Sequence, residues 1–334
     1  MHVVLVSTYG YPIALGMRYI SSFLKRAKHE VKVLFMGAKR DAADTDFPPP
    51  LLDDFIAHCR TADVIGLSLM TNTFYRSRAL TKALVDAGIK APIVWGGTHP
   101  TVAPEESAPL ADYVCVGEGE KAMLDFLDAL EAGRDPGQTP NFAYMRNGKM
   151  VVNPPHPLTD DLDDYPFPDY DLEDHWVAEK KTLVPARPKL LRGALRRYRM
   201  SSTRGCPYSC SFCNNGTQMR IYREAGRMRN WVRKRSVQSI IAEIESVRQR
   251  YPSIKAVNLI DDLFLIRSQE EIDAFVAAYR ERVNLPLELD ALPNTVTEAK
   301  IASLSHLPLD LISMGIQTGS QDTLVNLYNR PTRI

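Results

Sequence analysis

Three cysteines, Cys206, Cys210 and Cys213, stand within RGCPYSCSFCNN at C-x3-C-x2-C spacing, on a loop punctuated by glycine and proline. Thiolates are the ligands that iron–sulfur clusters prefer, and short spacing lets one loop reach several irons. A structural zinc site would need a fourth ligand, and no histidine or cysteine follows nearby. Three thiolates on a four-iron cluster leave one iron open, as catalytic zinc keeps an open position, and an open iron can hold a substrate. Cys59 and Cys115 stand alone in helical or apolar stretches and read as small buried hydrophobes. An odd number of cysteines, with three inside eight residues, does not fit a secreted disulfide framework.

The elements that position this loop follow from the pattern. His2–Ser7 is an apolar run of strand character, followed by a Gly/Pro loop and the helical MRYISSFLKRAKHE. The unit repeats through VKVLFM, ADVIGLSLM, APIVWGG and DYVCVGEGE, with amphipathic helices between. Apolar strands alternating with such helices predict a parallel sheet covered on both faces, a Rossmann-like domain over residues 1–134. Ligands of such sheets bind beyond the carboxyl ends of the strands, which points to the loops Ser68–Thr71, Gly96–Thr101 and Gly117–Glu120. The hydroxyl and amide groups of Ser68, Leu69, Met70 and Thr71 suit a deep slot. Gly96, Gly97 and Gly117 allow close approach of the backbone, and tight strand-to-helix turns would use the same glycines. A G-x-G-x-x-G after the first strand is absent, against NAD or FAD.

Residues 135–199 change character. FAYMRNGKMVVNPP predicts a hairpin turning at Asn147-Gly148, and the acidic, proline-rich TDDLDDYPFPDYDLED reads as a linker. Its end, from Lys180 to Arg199, is basic without an acidic residue, either a solvated loop or a site for an anion. From Met200 the alternation resumes: RMSSTRG leads into the cysteines, and IKAVNLIDD, LELDAL and LDLISMGIQTG are further strands. About four such units over 200–334 predict an incomplete (β/α) partial barrel, and hence a truncated chain. Asp261 and Asp262 end one strand and Gln317 and Ser320 follow another; helix caps and a glycine turn are the plain alternatives.

At 334 residues two domains are expected. A formal charge of +1 gives no field that would recruit nucleic acid or an anionic membrane. No secretory signal and no run of about 18 apolar residues stands in the sequence, so a cytoplasmic protein without a membrane span is expected.

The cysteine loop, with Phe212 before its last thiol, resembles the signature of the radical S-adenosylmethionine (SAM) superfamily. That resemblance implies a 4Fe-4S cluster on Cys206, Cys210 and Cys213, with SAM held on its open iron and cleaved by one electron to a 5'-deoxyadenosyl radical. It places Phe212, Asp261, Asp262, Gln317 and Ser320 near SAM, the last two in GIQTGSQDTL, which is similar to the family's Gly-x-Glu/Gln-x-Gly-Ser segment. The stretches PIALGMRYISSFL, IGLSLMT, VWGGTHPTVAPEE, VCVGEGE and PFPDYDL resemble the cobalamin-binding domain fused to many such enzymes. This implies cobalamin at Ser68–Thr71, Gly96, Gly97, His99, Gly117, Glu118 and Gly119. The D-x-H-x-x-G motif that ligates cobalt in many cobalamin domains is missing, and His99 in GGTHPT reads rather as a packing residue. The family implies methylation of an unactivated carbon or phosphorus centre of a small molecule, fed by a flavodoxin- or ferredoxin-like electron donor. Radical cyclisation or rearrangement, and a cobalamin- or metal-binding module without turnover, are the alternatives.

Overall fold

The computed structural model describes residues 1–9, 14–37, 45–191, 195–330 and 332, which form two compact units. Pro12, which opens the first cobalamin-like stretch, and Arg192 of the basic segment lie outside the described residues.

Residues 1–156 and 165–190 make the first unit. Its strands are β1 (His2–Ser7), β2 (Glu30–Phe35), β3 (Val64–Ser68), β4 (Ile93–Gly96), β5 (Tyr113–Cys115), β6 (Phe142–Arg146), β7 (Lys149–Val152), β8 (His175–Glu179) and β9 (Thr182–Pro185). They lie in one sheet in the order β7-β6-β5-β4-β3-β1-β2-β8-β9. The run β2-β1-β3-β4-β5 is parallel, and its order reverses between β1 and β3. The carboxyl ends of strands at such a reversal are where flavodoxin-like sheets bind ligands.

Alternation along β1 decides which helix covers which face. Val4 and Val6 pack with Leu51, Phe55, Leu80 and Leu84 of α2 (Pro49–Cys59) and α3 (Phe74–Asp86). Val3 and Leu5 pack with Met17, Leu24, Ala122 and Phe126 of α1 (Leu15–Arg26) and α6 (Glu120–Glu131). Two short helices, α4 (Thr98–Val102) and α5 (Pro104–Ser107), follow β4.

The segment 135–199 is not a free linker. Its hairpin β6–β7 extends the sheet antiparallel to β5, turning at Asn147 (φ 51°) and Gly148 (φ 74°), and β8 adds parallel to β2 with β9 folded back on it. The PFPDYDL stretch is buried against α1: Ser21 Oγ donates to Asp169 Oδ2 at 2.6 Å, and Lys25 Nζ lies 3.1 Å from the same oxygen. The Arg18 guanidinium stacks 4.2 Å from the Tyr170 ring and 5.0 Å from that of Phe35.

Residues 157–164 and 191–334 make the second unit. Here β10 (Arg197–Met200), β13 (Ala256–Leu259), β14 (Leu287–Ala291) and β15 (Leu309–Met314) run parallel in simple chain order, each beside the next, as in a (β/α) barrel. A small antiparallel pair, β11 (Thr203–Arg204) and β12 (Arg233–Lys234), flanks them. The helices are α7 (Asn214–Glu224), α8 (Val237–Arg250), α9 (Gln269–Arg282) and α10 (Glu298–Leu304). The starts of α8, α9 and α10 are capped by side chains: Ser236 accepts from Ser239 N, Ser268 and Glu271 form a reciprocal capping box, and Thr297 accepts from Lys300 N. Among the described residues no helix is long and apolar enough to cross a membrane.

Candidate functional site

Parallel strands bring all four carboxyl ends of the second sheet to one edge, and the cysteine loop leaves the first of them. After β10 and β11 comes Gly205, at φ 87°, where a β-carbon would stand 2.3 Å from the carbonyl oxygen of Trp231. Only glycine lets the chain turn against that carbonyl and start the loop at Cys206. Cys206 and Cys213 are half-buried and Cys210 is buried; all three are free thiols. Burial pushes the Cys206 thiol up to about 11, and the Asp262 carboxylate adds to the rise.

The far end of the second unit holds the loop from outside. Ser211 N donates to Tyr328 O at 3.0 Å, Ser211 Oγ to Leu327 O at 2.7 Å, and Asn329 Nδ2 to Ser209 O at 3.1 Å. Arg330, almost fully buried, sets its guanidinium 3.9 Å from Cys210 Sγ and also donates to Gly315 O. Among the described residues no three His, Cys, Asp or Glu side chains are gathered at single-ion spacing. The three thiols are thus not drawn around one point, and thiolates that each take a different iron have no need to be. Three free thiols on one loop, with a cation at Cys210, fit an iron–sulfur cluster.

The other residues anticipated near SAM divide. Asp262 is solvent-exposed at the end of β13; its hydrogen bond to the Asn215 side chain partly offsets the rise that surrounding protein imposes on its pKa. Gln317 is exposed at the end of β15 in the left-handed region, φ 73°, an unusual backbone for a non-glycine residue that marks sites where local strain is retained. Phe212 is half exposed and meets the Tyr328 ring edge-on at 5.1 Å. Asp261 is different: it is buried, and its carboxylate accepts from Ser202 N, Ser202 Oγ and Thr203 N. Its oxygens face the protein interior. Ser320 caps the following helical turn, its Oγ accepting from Thr323 N at 3.2 Å, which is the plain alternative for that residue. The sequence reading missed Arg330 and Asn215; Asn215 could have been found from its place directly after the cysteine loop, Arg330 only from the fold.

In the first unit the three loops anticipated for cobalamin are stitched together at the carboxyl edge. Thr8 Oγ1 donates to Thr73 Oγ1 at 3.0 Å, which ties the end of β1 to the β3 loop at the switch point. Gly97, at φ 104°, packs so closely on Leu69 that a β-carbon would lie 2.6 Å from Leu69 O. Thr101 Oγ1 donates to Gly97 O at 2.7 Å and accepts from Gly117 N at 3.0 Å, joining the β4 and β5 loops. Met70 and Thr71 are exposed, Ser68 and Glu118 are half-buried, and Gly96 and Gly119 sit between Cys115, Ile20 and the loop backbone. Leu69 instead belongs to the core. His99 is buried, with Nδ1 3.2 Å from Thr71 Oγ1, Nε2 3.7 Å from Glu106 Oε2 and its ring edge-on to Phe74 at 4.8 Å.

Residues 1–127 match the B12 binding domain family, and residues 200–333 match the Radical SAM superfamily. The chain joins a B12 binding domain to a Radical SAM domain. It is 27% identical over 318 residues to an uncharacterized methyltransferase of Pyrococcus horikoshii, covering 94% of this chain and 62% of that protein. It is 28% identical over 212 residues to the anaerobic magnesium-protoporphyrin IX monomethyl ester cyclase of Rubrivivax gelatinosus, covering 61% of this chain and 35% of the cyclase. The radical SAM methyltransferase TsrM of Kitasatospora setae, solved with tryptophan and a SAM analogue, superposes with a TM-score of 0.72 at 17% identity, over 97% of this chain and 60% of TsrM. The chain therefore spans less than two thirds of each of these proteins. Cobalamin, a 4Fe-4S cluster and SAM are the cofactors of this domain pair.

Proposed function

We propose that the chain belongs to a radical SAM methyltransferase, with Cys206, Cys210 and Cys213 as cluster ligands and a small molecule as methyl acceptor at an unactivated carbon or phosphorus. The observation that carries the proposal is the cysteine loop itself: three free thiols leaving the carboxyl end of the first barrel strand, with an arginine against the middle one. The flavodoxin-like sheet of the first unit supports the cobalamin half of the reading, because its order reverses where the β1 and β3 loops meet.

When bound, the cluster supplies one electron to SAM and cobalamin carries the methyl group; this chain's residues bind, orient and shield. Cys206, Cys210 and Cys213 are the residues that would hold the cluster, and three ligands would leave one iron open to SAM. Asp262 offers an anionic acceptor for the SAM ammonium, and Gln317, fixed by its unusual backbone, offers an amide at the same edge of the sheet. Phe212, braced by Tyr328, shields the loop from water. In the first unit the backbone of Met70, Thr71, Gly97 and Gly117, with Ser68 and Glu118, lines the cobalamin loops. The electron comes from an external flavodoxin- or ferredoxin-like protein.

The test is anaerobic turnover of the full-length protein, loaded with both cofactors, using SAM labelled in its methyl group and dithionite. The proposal expects 5'-deoxyadenosine together with label in the product. If 5'-deoxyadenosine forms and the product carries no label, methylation is refuted in favour of ring-forming or rearrangement chemistry. If neither forms in fully loaded protein, the enzymatic reading is refuted.

A further inference from the structure

Asp261 ends the second barrel strand, yet nothing about it suits a ligand contact. Only 2% of its surface is exposed. Its Oδ1 accepts from Ser202 N at 2.5 Å and from Thr203 N at 2.9 Å, and its Oδ2 accepts from Ser202 Oγ. The other polar atom of Ser202 is held as firmly: its carbonyl oxygen accepts from Arg235 N at 2.9 Å and from the Arg267 guanidinium at 3.1 Å. Arg267 is itself buried, 3.2 Å from Ser202 Oγ, and is backed by Glu271 at 3.7 Å and the Phe264 ring at 5.5 Å. Ser202 is thus fastened through its amide, carbonyl and hydroxyl, by an anion on one side and a cation on the other.

Three residues further on, Gly205 rests on the Trp231 carbonyl, and Cys206 follows directly. The direction in which the cysteine loop leaves the sheet is therefore set by two fixed points, Ser202 and Gly205. Removing the anion at the first leaves two backbone N–H groups and a hydroxyl buried without an acceptor, and the strand end must move to find partners.

We propose that Asp261 is a positioning residue for the cluster loop: with Arg267 it locks Ser202 and Thr203 and so places Cys206. The inference rests on the reading of the three cysteines as cluster ligands. It separates the acidic pair into an inward brace, Asp261, and an outward group, Asp262.

Full-length protein carrying Asp261→Ala, Asp261→Asn or Ser202→Ala is reconstituted anaerobically beside the wild type. Four quantities are read: iron per chain, the electron paramagnetic resonance spectrum of the reduced cluster, kcat and KM for SAM in 5'-deoxyadenosine formation, and cobalamin loading as a control on the first unit. Asp261→Ala is expected to lower cluster affinity or kcat by about tenfold or more, with a broadened spectrum. KM for SAM should stay within about twofold, because no contact to SAM is removed. Asp261→Asn should recover most of the iron, since its Oδ1 still accepts from both backbone amides, and Ser202→Ala should fall between. An Asp261→Ala protein with wild-type iron and spectrum overturns the inference. So does an approximately tenfold rise in KM for SAM with iron and spectrum unchanged, which makes Asp261 a ligand contact. If Asp261→Ala does not fold, wild-type iron and spectra in both remaining variants overturn it equally. A wild type that takes up no iron overturns the cysteine reading first, which distinguishes the two failures.

Discussion

Replacing Gly205 by alanine tests how the cysteine loop is launched. Two effects add at this position. The backbone sits at φ 87°, where an L-residue costs about 1–2 kcal/mol. The new β-carbon stands 2.3 Å from the Trp231 carbonyl oxygen, and because that neighbour is backbone, relief requires moving the β12 side of the small sheet, at about 1–3 kcal/mol. The sum is a destabilisation of about 2–5 kcal/mol. Gly226→Ala is the internal control: its φ of 65° is also positive, but nothing lies within 4 Å of the added carbon, so only the backbone cost applies. Trp231 is the single tryptophan of the second unit, and with Trp95 and Trp176 of the first unit changed to phenylalanine its fluorescence reports urea unfolding of the second unit alone. Gly205→Ala should lose about 1–3 kcal/mol more than Gly226→Ala and bind less iron. Equal losses, within about 0.5 kcal/mol, would refute the close-contact argument.

Further outcomes follow from the buried charges. Burial holds His175 neutral, with its pKa lowered to about 3, while an unfolded histidine takes up a proton near 6.5, so the unfolded state binds more protons between those values. Stability of the first unit should therefore fall as pH drops below about 6.5, by at most about 1.4 kcal/mol per pH unit, and His175→Gln should flatten the slope in urea titrations at several pH values. Glu243, fully buried, pairs with Arg235 and accepts from Tyr198 Oη at 2.7 Å, so Glu243→Ala should destabilise the second unit by about 3–5 kcal/mol in the same assay. Arg330→Met removes the cation beside Cys210; the cluster's midpoint potential, read by redox titration, should move negative by about 60 mV for each 1.4 kcal/mol of lost attraction.

The parts of the fold legible in the sequence are those in which local pattern and tertiary environment agree. The parallel core of the first sheet follows from its apolar strands and amphipathic helices, and the Asn147-Gly148 turn from two residues that accept positive φ. The β8–β9 pair was not legible: HWVAE and TLVP are short edge strands beside an acidic, proline-rich stretch, and their turn uses Lys180 at φ 56°, a residue with no turn signature. At the site, the spacing of the cysteines carried the chemistry because a single loop supplies all three. Which member of the Asp261–Asp262 pair faces inward is decided by Ser202, about sixty positions away, and no local pattern contains it. Arg330 likewise reaches Cys210 across 120 residues.

Counting the metal on the cysteine loop tests the proposed cluster most directly. Iron, acid-labile sulfide and zinc are measured in anaerobically reconstituted full-length protein and in the variant with Cys206, Cys210 and Cys213 all changed to alanine. About four iron and four sulfide per chain are expected in the wild type and close to none in the variant. One zinc per chain, or a triple variant that keeps its iron, would contradict the proposed cluster.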